Sequence, residues 1–457
     1  MATLSVSGLT TGIDYNSLIE QLINVERVPI NRLESRKAGY EQKAAAYADL
    51  STKLDALEAA AAALRSSSGF ADKTVTVSDP TILTADAGSS ATTGDYSLIV
   101  SELALSHKLI SGNGLASEDG TIASGAGQFR FKIGESGTEY AVDVDAETTL
   151  EELKDALNAL DVGLNAVIID EGQGATPYRL ILSSEDTGAT NKIIVTQDDT
   201  NLGFPVNDTT LVSALHIQKP QDAEIELDGF TVYRSGNTVT DLIPGVTLFL
   251  HKAQEGSSVA LQVSQDRAGI TAKIQTLIDS YNEVVTYISG RSDYDTEEHT
   301  ADPLYAEGTV RAILRRMGSI VSSGVSGLPA ELKALSQIGV STQRDGTLAL
   351  DQGELQDALD EDPAAVTNLF IDGAATEGVA EKLYQMAFAA TRSEDGDLAI
   401  RIEGLSSRMQ SLETKIREQE AALERYEVRL RAQFAALESL ISSTMAQDQF
   451  FSSATNS

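Results

Sequence analysis

A seven-residue ladder near the end of the chain constrains the fold more than any other feature. Ile402, Met409, Ile416, Leu423, Leu430 and Leu437 recur every seven residues, and Leu405, Leu412, Gln419, Tyr426, Gln433 and Leu440 follow three residues after each. Apolar residues at alternating spacings of three and four form one stripe along an α-helix, and Glu, Arg and Lys fill its flanks. No proline interrupts the run. A helix of about 40 residues would be roughly 60 Å long, too long to be stable without a partner along most of its length.

A candidate partner stands at the other end. Leu33, Tyr40, Tyr47, Leu54 and Ala61 form one seven-residue ladder, with Leu50, Leu57 and Leu64 as the second set. Ile19, Leu22 and Val25 continue an apolar face ahead of it, and Pro29 is expected to break or kink the helix there. The alternative is that each end pairs with another chain. Charge favours pairing within the chain: residues 1–70 and 401–457 each carry 7 basic and 8 acidic residues. That leaves 20 basic and 52 acidic residues for 71–400, so nearly all of the net charge of −34 sits between the ends. An acidic body of this kind repels phosphate backbones, which argues against nucleic-acid binding.

Between the ends the period changes to two. Thr74–Val77, Tyr96–Val100, Phe129–Ile133, Tyr140–Val144, Tyr178–Leu182 and Lys192–Val195 read as half-buried strands separated by Gly-rich turns. Glu224–Leu227, Thr231–Tyr233, Val246–Leu250 and Val259–Val263 continue the pattern. One helix, about Thr149–Leu160, interrupts it with Leu150, Leu153, Leu157 and Leu160 on one face. Helical periodicity resumes at Ala268. The expected fold class is α+β, elongated and multidomain: long antiparallel coiled-coil arms from both termini with two inserted β-rich domains. The expected division is 1–40 and 432–457 as terminal leg segments, disordered or helical; 41–70 and 265–431 as a helical coiled-coil domain; 71–118 and 215–264 as one β-rich domain; and 119–214 as a distal β-rich domain with one helix.

Few residues suggest catalysis. The chain has no Cys and no Trp, and aromatics are only 5%. That removes disulfides, thiolate chemistry and cysteine-held metals together. His107, His216, His251 and His299 are dispersed with no metal-binding spacing, and read as ordinary surface or strand histidines. Gly125-Ala126-Gly127 lacks the third glycine of a dinucleotide loop. Asp143-Val144-Asp145 begins like a calcium loop but has Thr148 where Gly is needed and Lys154 where the bidentate Glu belongs. No catalytic, cofactor-binding or metal-binding residue is assigned, and the reading is a non-enzyme without cofactors. No apolar run reaches about 18 residues, so no membrane insertion is expected. The opening residues lack a basic segment followed by an apolar core, so no secretory signal peptide is read there.

The segments Ser7-Gly8-Leu9-Thr10-Thr11-Gly12-Ile13-Asp14, Leu18-Ile19-Glu20-Gln21-Leu22 and Glu26-Arg27-Val28-Pro29-Ile30-Asn31-Arg32-Leu33-Glu34 resemble the start of the bacterial flagellar filament-capping family, hook-associated protein 2. The resemblance continues at Gly94–Val100, Asn237–Leu248 and Ile338–Leu348. Tyr178–Ser184 with Thr187-Gly188-Ala189 is similar to the repeat inserted in flagellins and hook proteins. Two stretches depart from the family: Tyr305-Ala306-Glu307-Gly308 replaces a Gly-Asp turn, and the tail from Gln449 is not Leu-rich.

The resemblance implies a secreted, extracellular protein at the distal tip of the flagellar filament. It would leave through the type III flagellar export apparatus with an export chaperone and form a homo-oligomeric ring, a pentamer within a range of four to six. It would promote folding and insertion of exported flagellin and prevent its loss, so that filaments elongate and cells swim. Two sets of residues are singled out. The coiled-coil pairing set is Leu33, Tyr40, Tyr47, Leu54, Ile402, Leu405, Met409, Leu412, Ile416 and Leu423. The filament-contact set is Leu9, Ile13, Leu18, Leu22, Leu437 and Leu440. The alternative reading is a surface adhesin that binds host mucin or glycans through the acidic β-domains.

Overall fold

The computed structural model describes residues 14–297, 299–330, 332–373 and 376–455. The chain divides into two compact units, Met1–Phe70 with Arg267–Ser457, and Ala71–Asp266. The fold class is α+β.

The first unit is helical. It contains α1 (Tyr15–Ala62), α3 (Arg267–Ser289), α4 (Gly308–Ser322), α5 (Gln352–Glu361), α6 (Pro363–Phe370), α7 (Val379–Thr391) and α8 (Asp397–Thr455), whereas α2 (Leu150–Ala159) belongs to the second. The short helices carry strong start signals. The Asp351 carboxylate accepts from the Gly353 and Glu354 amides at 2.9 and 3.1 Å, and Asp362 accepts from Ala365 at 2.9 Å with Pro363 next in line. In α3, Ile270, Ile274, Leu277, Ile278, Tyr281, Val284, Val285 and Ile288 are buried, the spacing of one helical face. These side chains share a core with Leu50, Leu54 and Leu57 of α1, Met317 of α4, Leu355, Leu369 and Leu383. Each fully buried leucine contributes about 2 kcal/mol of transfer free energy.

Pro29 does not break the first helix: it lies inside α1, which spans 48 residues from Tyr15 to Ala62. Proline removes the hydrogen bond to the Val25 carbonyl, but both residues are exposed, so water can take that acceptor.

The second unit is built from antiparallel sheets around two cores. One core lies between a five-stranded and a three-stranded sheet. The first runs β1 (Lys73–Val77), β15 (Val259–Gln265), β3 (Gly94–Glu102), β11 (Ala223–Leu227), β12 (Phe230–Arg234); the second runs β13 (Thr238–Ile243), β14 (Val246–Leu250), β2 (Leu83–Ala87). In β15, Val259, Leu261 and Val263 are buried while Ala260 and Gln262 face out, the alternation of a sheet covered on one side. The other core lies between the four-stranded sheet β10 (His216–Gln218), β4 (Ser106–Ile110), β8 (Tyr178–Thr187), β7 (Leu164–Asp170) and the three-stranded sheet β6 (Glu139–Val144), β5 (Gly127–Ile133), β9 (Ile193–Asp198). Helix α2 closes it with Leu150, Leu153 and Leu157. Thr149 and Glu152 form a reciprocal cap: the Glu152 amide donates to the Thr149 hydroxyl at 3.2 Å, and the Thr149 amide donates to the Glu152 carboxylate at 3.0 Å.

Candidate functional site

The two long helices meet antiparallel, because contacts pair rising numbers on α1 with falling numbers on α8. The Tyr15 and Phe434 rings lie 5.3 Å apart, and Asn16 accepts from Arg431 at 3.5 Å. Further along, Ile30 shares a small apolar cluster with Ile416 and Leu423, and Ile23, Leu33 and Tyr426 pack against it. The Arg408 guanidinium then sits 6.0 Å from the Tyr40 ring. Asp14 starts α1 by accepting from the Asn16 and Ser17 amides at 3.1 and 3.2 Å.

Inward of this pair the surroundings of α1 change. Tyr287 of α3 donates to the Ala46 carbonyl at 3.1 Å, and Lys53 reaches Glu283 of α3 at 3.3 Å. The Arg65 guanidinium lies 4.0 Å over the Tyr384 ring of α7. Between the two regimes stands Glu307, which accepts from Lys43 at 2.8 Å and from the Tyr47 hydroxyl at 2.9 Å. Burial pushes the Glu307 carboxyl up, but the Lys43 and Tyr47 bonds and the Arg401 charge outweigh it, so it stays below the usual range. Burial and then Glu307 push the Tyr47 phenol well above its ordinary value.

The pairing residues expected from sequence fall into two groups. Leu405, Leu412, Ile416 and Leu423 are buried, and Leu33, Tyr40, Ile402 and Met409 are half-buried. Tyr47 and Leu54 are also buried. Leu54 lies fully buried in the multi-helix core, in the stretch of α1 that packs on α3 and α7. The seam between α1 and α8 runs from Tyr15 to about Tyr47, which lines one cavity with Ile400, Arg401 and Leu405 at the start of α8.

Of the filament-contact set, Leu9 and Ile13 lie outside the described residues. Leu18, Leu22, Leu437 and Leu440 are exposed to 42%, 38%, 44% and 64%, although each sits on a paired helix. Leu18, Leu22 and Val25 form an exposed stripe on α1 along the edge of the face that buries Tyr15 and Ile19. Ile19 is buried, whereas Leu22 and Val25 beside it are exposed. On α8 the buried ladder ends at Leu430, and Leu437 and Leu440 extend it without cover. The sequence reading missed Tyr15, Ile30 and Phe434; the signal was there in Tyr15 and Ile19, one turn apart.

The Asp145 carboxylate accepts from the Glu147 and Thr148 amides at 2.9 Å each, a turn ahead of α2. Among the described residues, no group of three or more His, Asp or Glu could hold a metal ion, and no helix is long and apolar enough to cross a membrane.

Comparison with known proteins bears on the same elements. The family model described as Flagellar hook-associated protein 2 N-terminus matches residues 11–107, and that described as Flagellar hook-associated protein 2 C-terminus matches 220–446. The A-type flagellar hook-associated protein 2 of Pseudomonas aeruginosa is 27% identical over 467 residues, covering 96% of this chain and 94% of that one. Flagellar hook-associated protein 2 of Campylobacter jejuni is 28% identical over 423 residues, covering 80% of this chain and 64% of its own length. A crystal structure of the flagellar cap protein FliD from Escherichia coli superposes with a TM-score of 0.64 at 26% identity, covering 79% of this chain and 99% of that one.

Proposed function

This chain belongs to the flagellar hook-associated protein 2 family, and we propose from that premise that it caps the distal end of the bacterial flagellar filament. The observation that carries the reading is the stripe of exposed leucines on the outer turns of α1 and α8, whose other faces are already packed on each other. Leaving an apolar stripe exposed to water costs free energy, which is recovered when a partner covers it. The outer segments, 15–40 and 432–455, act as legs against the filament, and the β unit forms a plate contributed by several copies in a ring. Flagellin emerging from the export channel folds under that plate and joins the filament. Export through the type III apparatus with a chaperone suits a cysteine-free chain, which cannot form wrong disulfides after passage.

Deleting the gene tests this. The expected result is a strain that releases monomeric flagellin and bears no filaments; normal filaments in that strain would refute the cap. A second reading, glycan or mucin binding, draws on Phe230 and Tyr233, both exposed on the β11–β12 hairpin. Exposed aromatic rings stack well on sugar faces. Mucin binding by the purified chain that is unchanged in a Phe230→Ala, Tyr233→Ala variant would remove that support.

A further inference from the structure

His107 in β4 and His216 in β10 stand 109 residues apart, yet their rings stack at 4.9 Å between centroids, 19° from parallel. Both are buried. The hydrogen bonds fix their protons. The Ile193 amide donates to His107 Nδ1 at 2.8 Å, so that nitrogen carries no proton. In a neutral ring Nε2 carries it instead and donates to His216 Nδ1 at 2.8 Å. His216 then keeps its own proton on Nε2, 3.2 Å from the Asp208 carboxylate. One neutral arrangement satisfies every link. An added proton on His107 would point at the Ile193 N–H, and one on His216 Nδ1 would point at the proton on His107.

Asp208 extends the chain into a loop. Its carboxylate accepts from the Ser213 amide at 2.9 Å, the Val212 amide at 3.3 Å and the Thr210 hydroxyl at 3.2 Å. Asn207 and Leu211 both hold φ at 56°, a left-handed conformation that costs a side-chain-bearing residue on the order of 1 kcal/mol, most clearly for Leu211. The loop and the strand after it show Val206, Val212 and Ile217 to solvent, Val212 at 80%.

We propose that the Asp208–His216–His107 chain is an acid-released latch: it holds the strained 206–217 loop on the sheet while the His107 ring is neutral, and protonation of that ring frees the loop with its apolar side chains. Burial first, then the neighbouring His216 and the Lys192 charge, hold His107 down to about 4. The ring thus takes up a proton more readily when the loop is open. Latching is complete above about 6.5, the ordinary histidine value, and weakens as pH falls from there to about 4. Asp208, held down to about 2 chiefly by the Ser213 amide, gives up its share only below about 4.

The ionisable neighbours fit this direction. Lys192 leads into β9 and is tied to Glu135 at 2.5 Å, Lys108 lies on β4 itself, Glu185 and Asp186 end β8, and Lys219 follows β10. Lys108, Glu185, Asp186 and Lys219 are exposed, which leaves Asp208 as the carboxylate bonded to the pair.

Amide exchange on the full chain at pH 7 and pH 4, corrected for intrinsic rates, tests the latch. Protection of the Ile193 and Ser213 amides should fall on the order of a hundredfold, while Val100 and Leu261 in the other core keep theirs. Equal protection at both pH values, or a His107 ring that titrates near 6.5, would overturn it. His107→Asn keeps an acceptor for the Ile193 amide but cannot titrate. It should show the low Ser213 protection already at pH 7, with no further loss down to pH 4. Wild-type pH dependence in that variant would contradict the proposal, and if the variant does not fold, the wild-type comparison decides alone.

Discussion

The outer and inner parts of α1 are one continuous helix with one repeating pattern, yet they live in different surroundings. From Ala46 to Ala61 the helix is sunk among α3, α7 and their neighbours, and Leu50, Leu54 and Leu57 are fully buried. From Tyr15 to Leu33 it packs, among the described residues, on α8 alone, and Leu18, Leu22, Val25 and Val28 remain exposed. The inner part therefore holds the unit together, whereas the outer part keeps apolar surface for another molecule. Glu307 marks the border by tying Lys43 and Tyr47 to the start of α4.

Truncations separate the two parts by size of effect. Leu54→Ala should destabilise the helical unit by about 3–4 kcal/mol in denaturant unfolding, because the surrounding helices cannot close the cavity. Ile30→Ala removes a buried side chain from a two-helix seam that can collapse or admit water, so a smaller loss of about 2 kcal/mol is expected. Equal losses at the two sites would erase the distinction. Glu307→Gln should cost about 1.5 kcal/mol at pH 7, the worth of a charge-assisted bond. Because the Glu307 carboxyl is held below its ordinary value of 4.5, its contribution is present above that pH and lost as the pH falls through it. The gap between wild type and variant should therefore close below about pH 4.5. A gap that stays constant with pH would mean that Glu307 acts through shape and not charge.

How much of this could be read from the residues follows from what a period encodes. Seven-residue ladders state that a stripe is covered, and both helices were legible for that reason. They do not state by how many partners: Leu54 occupies the same ladder as Leu33, but one faces a core and the other a seam. Nor does a period separate adjacent stripes, so Ile19 reads as one face with Leu22 and Val25 although it is buried and they are not. Pro29 does not end α1, because the carbonyl it leaves without a donor lies on an exposed turn where water can reach it. Ten strands of the β unit were legible from alternation and turn residues, whereas β2, β4, β7, β10 and β13 were not read. Glu307 and the His107–His216 pair were not, since their partners lie 264, 260 and 109 residues away and only the fold brings them together.

The most direct test changes Leu18, Leu22, Leu437 and Leu440 to Gln together and returns the gene to a strain lacking its own copy. Filament length by electron microscopy is read beside the melting temperature of the purified protein. The prediction is a folded protein, within about 0.5 kcal/mol of wild type, in cells that shed flagellin and carry no full-length filaments. Normal filaments would show that these exposed leucines are not the surface on which capping depends.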